Sequence, residues 1–457
     1  MGSNTIVDLS PPVNRSMTQL DRDFFQRSLS VVIAFFPDPK KIGEFTKKFN
    51  KDTLGIKKVK NIVKIPEQNK IGVLLTENLQ DINQVSEILT SEAQQFIQAE
   101  NITLQPYQLT IPYSHWKSEE ILGAILPESL LDEIPSGFTI TGHIAHLNLR
   151  SEFKPYGELI GQVLLDKNPN IKTVVNKLDS IDTVYRTFAM EVLAGEDNLI
   201  VEQRESNCLF KFDFSKVYWN SRLHTEHERL VKSFNEGDFV IDVMAGVGPF
   251  AVPAGKKRVI VLANDLNPES YKYMSENIAK NKVGDFVKGI NEDGRVVIRE
   301  SYQRLLDYIE EKNGSIKYQT RKRRSKEEDQ ISEHEIVIPK QISHFVMNLP
   351  DSALEFLNEY DGIFRNHKQQ IQQIQDFKFP MVHVYCFEKF SSEESPEPTD
   401  KMLHRRVFEK MKKIMNYDQL QFDTLSFHTV RKVSPTKPMF CVSFPLPEEF
   451  LFREPVV

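Results

Sequence analysis

The alternation of apolar and polar positions predicts small α+β modules in the first half of the chain. Four short apolar runs have strand character, and one longer stretch with helical character lies between the third run and the fourth. The runs are LSVVIAFF, NIVKIP, IGVLLT and ITLQPYQLTIPY, and the helical stretch is DINQVSEILTSEAQQFIQAE. A second module is predicted from SHWKSEEILGAILPESLLDEIPSGFTITGHIAHLNLR onward, where a helix, a Pro/Gly break and a strand follow one another.

The pattern changes at LFKFDFSKVYW, after which buried strands alternate with helices. Runs that are apolar throughout are typical of strands covered on both faces, so they predict a doubly wound α/β fold with a parallel sheet. These runs span residues 239–244, 259–263, 296–298, 345–347, 382–387 and 439–444.

A highly charged segment interrupts the predicted sheet around residues 310–336. Its scarcity of apolar residues predicts a solvated insertion and is typical of disorder. The core of the segment, RKRRSK at 321–326, fits a nuclear-import signal, a nucleic-acid contact or a charged loop without a partner.

Length and composition exclude several classes of protein. At 457 residues the chain is too long for one ordinary domain, and an apolar content of 40% suffices for a core in each of two or three. No apolar run approaches the ~20 residues of a spanning helix, and the N-terminal stretch resembles neither a signal peptide nor a transit peptide. Cys208, Cys386 and Cys441 lie far apart in apolar surroundings, so we predict reduced core residues.

Charge is unevenly distributed along the chain. The net charge of −6 argues weakly against a general polyanion-binding protein. Between Lys40 and Lys64, however, the chain carries nine lysines against only two acidic residues, Glu44 and Asp52. An acidic protein can bind nucleic acid through such a local patch.

A buried strand followed by a glycine-rich loop predicts a cofactor site. In FVIDVMAGVGPF, Gly246 and Gly248 allow a sharp turn close to a ligand, and Pro249 suits the first position of a helix. The next strand ends at Asp265, 19 residues after Gly246, where a carboxylate can accept hydrogen bonds from ribose hydroxyls. These residues fit either a dinucleotide or S-adenosylmethionine.

The choice between the two cofactors depends on Asn348-Leu349-Pro350 at the end of a later strand. Asn and Pro at this edge are typical of methyltransferases that act on base nitrogens, because an amide can donate to and accept from a base edge. Alone, such a sequence is more commonly a strand-to-helix turn. After the glycine loop and Asp265 it favours S-adenosylmethionine. Alternatively, Asp265 and Asn267 only cap the next helix, which would begin at Pro268.

The stretch YWNSRLHTEHERLV has two interpretations. Thr225 and Glu228 have the spacing of a capping box, in which case Glu226 only favours the helix dipole. In the other interpretation, Glu228 completes the box and Glu226 remains free as a catalytic carboxylate. His224 and His227 lack the neighbouring ligands of a zinc site.

Six motifs in a fixed order resemble the archaeal and eukaryotic family of tRNA (guanine-37 N1) methyltransferases, which make 1-methylguanosine beside the anticodon. They are GHIAHLNLR, VYRTFAMEVLAGE, KVYWNSRLHTEHERL, DVMAGVGPF, NDLNP and MNLP, and similarity is weaker before residue 113. The resemblance implies a class I (Rossmann-like) methyltransferase domain at 211–457. Two smaller α+β domains would precede it, a tRNA-recognition domain at 1–112 and a middle tRNA-binding domain at 113–210.

The resemblance also implies roles for individual residues. Glu226 matches the proposed general base, Arg186 the arginine that contacts the target guanine, and Asn348 the base-binding asparagine. Substrate contacts are expected at Tyr218, Arg222 and Pro350. Cofactor contacts are expected at Arg222, Asp242, Met244, Gly246, Gly248, Asp265, Leu266, Asn267 and Asn348.

The chemistry of the implied reaction requires a base. N1 of guanine carries a proton, which a carboxylate such as Glu226 could remove, and a cation such as Arg186 near O6 would stabilise the resulting anion. No metal is required. Departures from the family pattern at Ser221, His227 and Met244 affect the details of substrate contacts, not the reaction.

The sequence therefore predicts a monomeric enzyme that methylates N1 of guanosine at position 37 of tRNA. We expect it in the nucleus and cytoplasm, with a mitochondrial matrix pool left open, and without membrane attachment. One alternative is a wybutosine-pathway transferase that adds an aminocarboxypropyl group at the same position. Another is a non-catalytic RNA-binding protein that retains the fold.

Overall fold

The structure is a computed structural model that describes residues 7–66, 69–181, 185, 187–322 and 330–454. The chain divides into two compact units. The first comprises Met1–Phe138, Leu147–Asn176 and Val192–Glu196, and the second comprises Thr139–His146, Lys177–Glu191 and Asp197–Val457. Across the described ranges, no helix combines the length and apolar character needed to cross a membrane.

An antiparallel sheet with short helices forms the first part of the chain. Its elements are β1 (Arg27–Phe35), α1 (Lys41–Lys48), β2 (Ile62–Ile65), β3 (Lys70–Leu74), α2 (Val85–Ile88), α3 (Ser91–Ala99) and β4 (Thr103–Ile111). The strand order is β2-β3-β1-β4, so the four predicted strands are confirmed. The single predicted helix is wrong, because Leu89 is extended and Thr90 starts α3 by accepting a hydrogen bond from the Ala93 N–H.

Two further helices and six strands follow before the largest sheet. They are α4 (Ser118–Ile125), β5 (Thr139–Thr141), β6 (Ile144–Leu147), α5 (Gly157–Lys167), β7 (Thr173–Ile181), β8 (Phe188–Gly195), β9 (Ile200–Glu205) and β10 (Cys208–Asp213). Strands β5 and β6 pair antiparallel, as do β9 and β10. Both β7 and β8 contribute residues to each unit. The division into three domains stays a prediction.

A seven-stranded sheet dominates the second unit, and its elements begin with α6 (His224–Ser233), β11 (Phe239–Asp242), α7 (Ala251–Lys256), β12 (Ile260–Asn264), α8 (Pro268–Lys280), β13 (Val287–Ile290), α9 (Gly294–Arg299) and α10 (Ser301–Glu311). The remaining elements are β14 (Ser315–Lys322), β15 (Gln330–Val337), β16 (His344–Met347), α11 (Lys368–Gln372), β17 (Met381–Phe387), α12 (Asp400–Met415), β18 (Ser426–Ser434), β19 (Lys437–Pro445) and α13 (Glu448–Leu451). The strand order is β13-β12-β11-β16-β17-β19-β18.

The strand directions confirm the class I, Rossmann-like fold but not a wholly parallel sheet. Strands β13, β12, β11, β16 and β17 are parallel. Strand β19 runs antiparallel to both β17 and β18. A hairpin joins β18 to β19 through a short turn, and two-residue turns of this kind connect only antiparallel strands.

Two predictions for this half of the chain are wrong. Residues 296–298 lie in α9, whose start is capped by Asp293 through a 2.8 Å bond from the Arg295 N–H, and the strand of this region is the earlier β13. The described part of the charged insertion contains an antiparallel hairpin, β14 with β15, so the expectation of disorder is wrong for these two strands. Residues 323–329, which include most of RKRRSK, lie outside the described residues. The prediction for the three cysteines is confirmed, since all are buried and free.

Candidate active site

The carboxyl ends of β11, β12 and β16 border a cavity of about 600 Å³ in the second unit. Small-molecule sites typically have volumes of ~300–1,000 Å³, and open α/β sheets bind ligands at this edge. The predicted site residues that line the cavity are Tyr218, Met244, Gly246, Asp265, Leu266, Asn267, Asn348 and Pro350. Residues distant in the sequence thus meet in one space.

The two glycines of the loop after β11 adopt backbone conformations that other residues rarely adopt. Gly246 has φ +56° and Gly248 has φ +94°. A Cβ on Gly248 would also lie 2.8 Å from Val252 Cγ2, whereas the position of a Cβ on Gly246 is open. The following helix begins at Ala251, so the prediction that Pro249 is its first residue is wrong.

Asp265 holds this loop from the neighbouring strand. Its Oδ2 accepts a hydrogen bond from the Gly246 N–H at 2.8 Å, and its Oδ1 accepts one from the Asn267 N–H at 2.9 Å. Burial raises the pKa of Asp265 to about 6, against the opposing effect of these donors. Each carboxylate oxygen can accept a second hydrogen bond, so the side chain retains acceptor capacity toward the cavity that it lines.

A second carboxyl group, Asp242, lies at the end of β11. It is 1% exposed, and neither of its oxygens has a well-formed hydrogen bond. Burial, and to a smaller extent the Asp265 carboxylate, raise the pKa of Asp242 to about 8, while the Met244 N–H has a small opposing effect. At neutral pH this group is therefore mostly protonated. It does not belong to the cavity lining.

Asn267 caps the helix that follows Asp265, as predicted. Its Oδ1 accepts a hydrogen bond from the Glu269 N–H at 3.0 Å, and Pro268 is the first residue of α8. Its Nδ2 donates to the Lys216 carbonyl at 2.8 Å. The side chain of Asn267 is thus engaged in the fold, while Asp265 faces the cavity.

Asn348 follows β16 at the same edge of the sheet. Its Oδ1 is buried and has no hydrogen-bond partner among the described residues, although Asn348 lines the cavity. Leaving a buried acceptor unpaired costs ~1–3 kcal/mol. The side chain therefore fits a ligand that brings a donor to this position.

Helix α6 begins two residues earlier than a capping box at Thr225 and Glu228 requires. It starts at His224 after Leu223, which makes no side-chain cap, so Thr225 lies inside the first turn and the capping-box interpretation is wrong. Glu226 lies in the first turn, where it was expected. Its side chain points into the protein and is 4% exposed.

Within the described part of the chain, three side chains surround the Glu226 carboxylate. Arg229 donates its Nε to Oε2 at 2.6 Å and its Nη2 to Oε1 at 2.7 Å. Tyr385 donates its hydroxyl to Oε1 at 2.7 Å, and the Nε2 atom of His428 lies 3.2 Å from Oε2. Glu226 does not line the cavity, and both of its oxygens already accept hydrogen bonds from Arg229 or Tyr385.

The remaining predicted site residues lie apart from the cavity or outside the described residues. Arg222 donates to Thr139 Oγ1 at 2.9 Å and, like Gly248, does not line the cavity. Arg186 lies outside the described residues. His227 pairs through its Nδ1 with Glu205 Oε1 at 2.5 Å, and both side chains are buried.

Sequence reasoning missed part of the cavity wall. Asp293, Gly294, Arg295 and Phe356 line it, and a Cβ on Gly294 would lie 2.8 Å from Val243 Cγ1. The guanidinium of Arg295 stacks 4.0 Å from the centre of the Phe356 ring. The segment NEDG, directly after β13, could have indicated this part of the wall. It was not used because Lys288 and Gly289 interrupt β13, so the strand does not form an apolar run in the sequence.

The residues that line the cavity fit S-adenosylmethionine. Asp265 offers acceptors for ribose hydroxyls, and Asn348 offers an unpaired amide oxygen. At Gly246 the backbone borders the cavity without a side chain, so a ligand can approach it closely. The aromatic ring of Phe356 offers a flat apolar surface to a planar ring of the ligand.

The lysine-rich segment lies in the first unit and is open to solvent. All nine lysines between Lys40 and Lys64 are exposed except Lys41, which is partly buried and pairs with Glu44 and Glu100. Asp52 is buried and accepts hydrogen bonds from the N–H and hydroxyl of Thr90. The negative charge of Asp52 is therefore withdrawn from the surface, which leaves a basic patch.

Comparisons with known proteins identify relatives over almost the whole chain. Residues 118–198 match the TYW2 N-terminal domain, and residues 201–315 match the TRM5/TYW2 methyltransferase domain. The tRNA (guanine(37)-N(1))-methyltransferase of Candida albicans is 51% identical over 453 residues, which cover 97% of this chain and 99% of that protein. The protein of the same name from Saccharomyces cerevisiae is 48% identical over 474 residues, with coverages of 96% and 94%.

A solved structure shares the fold. The complex of aTrm5 and tRNALeu matches 91% of this chain and 100% of that chain, with a TM-score of 0.58 and 19% sequence identity.

Proposed function

The chain belongs to the tRNA (guanine(37)-N(1))-methyltransferase family, and from this premise we propose that it transfers a methyl group from S-adenosylmethionine to N1 of guanosine at position 37 of tRNA. The observation that carries the proposal is the cavity in which the Gly246 loop, Asp265 and Asn348 meet. This combination suits a nucleoside cofactor beside a group that can hydrogen-bond a base edge.

Bound S-adenosylmethionine supplies an electrophilic methyl group. We propose that its ribose hydroxyls donate hydrogen bonds to Asp265. This carboxylate accepts from two backbone N–H groups and can accept further hydrogen bonds. Met244, Gly246, Leu266 and Asn267 contribute wall and backbone around it. Asp242 and Gly248 do not line the cavity, and their cofactor contacts stay predictions from resemblance.

We assign Glu226 as the base that removes the N1 proton of guanine. The carboxylate is enclosed by Arg229, Tyr385 and His428, so it must exchange one of these donors for the N1–H when substrate binds. Arg186 remains the proposed cation at O6, as a prediction from resemblance. Asn348, with Tyr218, Arg222 and Pro350, is the proposed contact for the guanine and its neighbours.

The contacts with tRNA beyond the target base are also proposals. The basic patch between Lys40 and Lys64 offers a phosphate-binding surface in the N-terminal domain proposed for residues 1–112. Residues 113–210 would form the middle tRNA-binding domain. We propose a monomer that acts in the nucleus and cytoplasm, with a further mitochondrial matrix pool.

The proposal is tested with two tRNA transcripts that differ only at position 37, guanosine in one and adenosine in the other. The full chain and methyl-labelled S-adenosylmethionine are incubated with each, and nucleosides are identified by mass spectrometry. We expect 1-methylguanosine from the guanosine transcript alone. The mass of an aminocarboxypropyl group would instead identify the wybutosine-pathway reaction, and binding without incorporation would identify an RNA-binding protein.

A further inference from the structure

The proton removed from guanine needs a route to solvent, because Glu226 itself has almost no access to water. The side chain is 4% exposed, and Arg229 donates to both of its oxygens. A proton on Glu226 would face a guanidinium that has donors only and cannot accept it. This proton must therefore pass to a second acceptor.

Two of the three groups that touch Glu226 are unsuited to accept a proton. The hydrogen bond to Glu226 raises the pKa of Arg229 above its ordinary value, so this side chain stays a cation with no acceptor site. Tyr385 is completely buried, and burial raises its pKa well above the ordinary value, so its hydroxyl keeps its proton. Its phenol oxygen already serves as the donor to Glu226 Oε1.

His428 differs from both neighbours. Its Nε2 lies 3.2 Å from Glu226 Oε2, and its side chain is 46% exposed, so one imidazole touches the carboxylate and the solvent. Histidine is the side chain whose ordinary pKa lies nearest to neutral, and its two nitrogens can accept a proton at one edge and release it at the other.

The sheet holds His428 in this position. On β18 it lies opposite Cys441 of β19, and Cys441 lies opposite Tyr385 of β17. The titratable groups beside His428 are thus Glu226, with its partner Arg229, from α6, Tyr385 from β17, Cys441 from β19 and, on β18 itself, Arg431, which pairs with Met439 on the same face of the sheet. Burial raises the pKa of the Cys441 thiol to about 11, so it stays neutral.

We infer that His428 receives the proton that Glu226 takes from guanine N1 and releases it to solvent. This rests on the proposed function, in which Glu226 is the base. The N1–H bond breaks and an O–H bond forms on Glu226; that proton then moves to Nε2 of the Nδ1–H tautomer, which gives an imidazolium. Loss of the Nδ1 proton to water leaves Nε2–H hydrogen-bonded to the ionised carboxylate. Exchange with solvent at the exposed ring restores the first tautomer.

His428→Ala tests the inference, with His334→Ala as the matched control. His334 is an exposed strand histidine that pairs with Thr320 Oγ1 and stacks on Tyr318 instead of touching a carboxylate. Single-turnover methyl transfer is measured over a series of tRNA concentrations up to saturation, at saturating cofactor, from pH 5.5 to 9, with and without added imidazole. Thermal melting of both variants establishes that they are folded.

We expect His428→Ala to lower the single-turnover rate by about tenfold or more, because His428 acts through Glu226, and direct general acid–base catalysis is itself worth ~10²- to 10⁴-fold. Imidazole should restore much of the rate, the pH profile should change, and KM for tRNA should not. His334→Ala should match the wild type. A wild-type rate and pH profile for His428→Ala would overturn the inference, as would a defect confined to KM that imidazole does not rescue.

The same assay separates failure of the relay from failure of the proposed function. Glu226→Gln is run beside the histidine variants. If Glu226→Gln is inactive and His428→Ala is normal, the proton leaves by another route and only the inference fails. If Glu226→Gln is active, the assignment of Glu226 as the base in the proposed function is wrong. If the wild type does not methylate guanosine 37, the proposed reaction itself is wrong.

Discussion

Arg229 donates two parallel hydrogen bonds to the carboxylate of Glu226, from Nε at 2.6 Å and from Nη2 at 2.7 Å. Arg229 lies one turn after Glu226 on the same helix. Paired donors of this geometry are among the stronger interactions in proteins. The arrangement fixes the proposed base in one orientation. The guanine N1–H must therefore compete with Arg229 and Tyr385 for the carboxylate, so these side chains influence the proposed reaction.

Replacing Glu226 by Gln should lower the rate of methyl transfer by ~10²- to 10⁴-fold, because an amide cannot accept the N1 proton. Cofactor affinity should be unchanged, since Glu226 does not line the cavity. Single-turnover assays and equilibrium binding of S-adenosylhomocysteine measure the two effects separately. Glu228→Gln is the control, because Glu228 is exposed and pairs with Lys232 at 2.8 Å. Similar rates in the two variants would reduce Glu226 to a structural residue.

Cofactor affinity should fall as the pH is lowered from 7 to 5. The pKa of Asp265 is raised to about 6 by burial, so a growing fraction of its carboxylate is protonated below that pH and accepts ribose hydroxyls less well. Asp265→Asn should bind roughly ten- to a hundredfold more weakly at pH 7, from ~1.5–3 kcal/mol for a hydrogen bond to a charged group, and should lose this pH dependence. Calorimetric titration at several pH values measures both. Wild-type affinity in the Asn variant would refute the role of Asp265.

Asp242→Asn should make folding stability less sensitive to pH. The pKa of Asp242 is raised from 3.8 to about 8, so the folded state binds more protons than the unfolded state between these values. The stability contributed by this proton is therefore present at low pH and lost as the pH rises through about 8, by up to ~1.4 kcal/mol per pH unit inside the window. Denaturant titrations at pH 6 and pH 8.5 should show the wild type losing more stability than Asp242→Asn. Equal losses would contradict the raised pKa.

Neutralising Lys47, Lys48 and Lys51 together should weaken tRNA binding and reduce its dependence on salt. Removing one lysine–phosphate interaction lowers the slope of log K against log salt by roughly 0.7 to 0.9. A control variant neutralises three exposed lysines of the second unit, Lys317, Lys401 and Lys413. Binding isotherms at several salt concentrations give the slopes. Equal slopes for the patch variant and the wild type would remove this patch from the RNA interface.

Much of the fold was predictable because its signals are local. The strands at 239–244 and 345–347 and the cap at Asn267 were recognised from apolar runs and from the Asn-Pro pair. The run at 296–298 was misassigned because three apolar residues do not distinguish a strand from a buried helix, and Asp293 at its start caps a helix. The edge strand β18 was missed because its side chains are mostly exposed and polar.

The site was less predictable, because its decisive contacts are far apart in the sequence. Glu226 could be selected from its helix, but Tyr385 lies 159 residues away and no local pattern links the two. His428 lies in an ordinary polar stretch of β18, and only the pairing of β17, β19 and β18 brings it to the carboxylate. The wall at Asp293 and Phe356 was missed for the same reason.

The structure of a complex with tRNA and S-adenosylhomocysteine tests the mechanism most directly, through the distance from the Glu226 carboxylate to N1 of guanosine 37. We predict that one Glu226 oxygen lies ~2.6–3.2 Å from N1, with at least one of the present donors displaced. A complex in which Glu226 keeps all its bonds to Arg229, Tyr385 and His428, while another group faces N1, would contradict it.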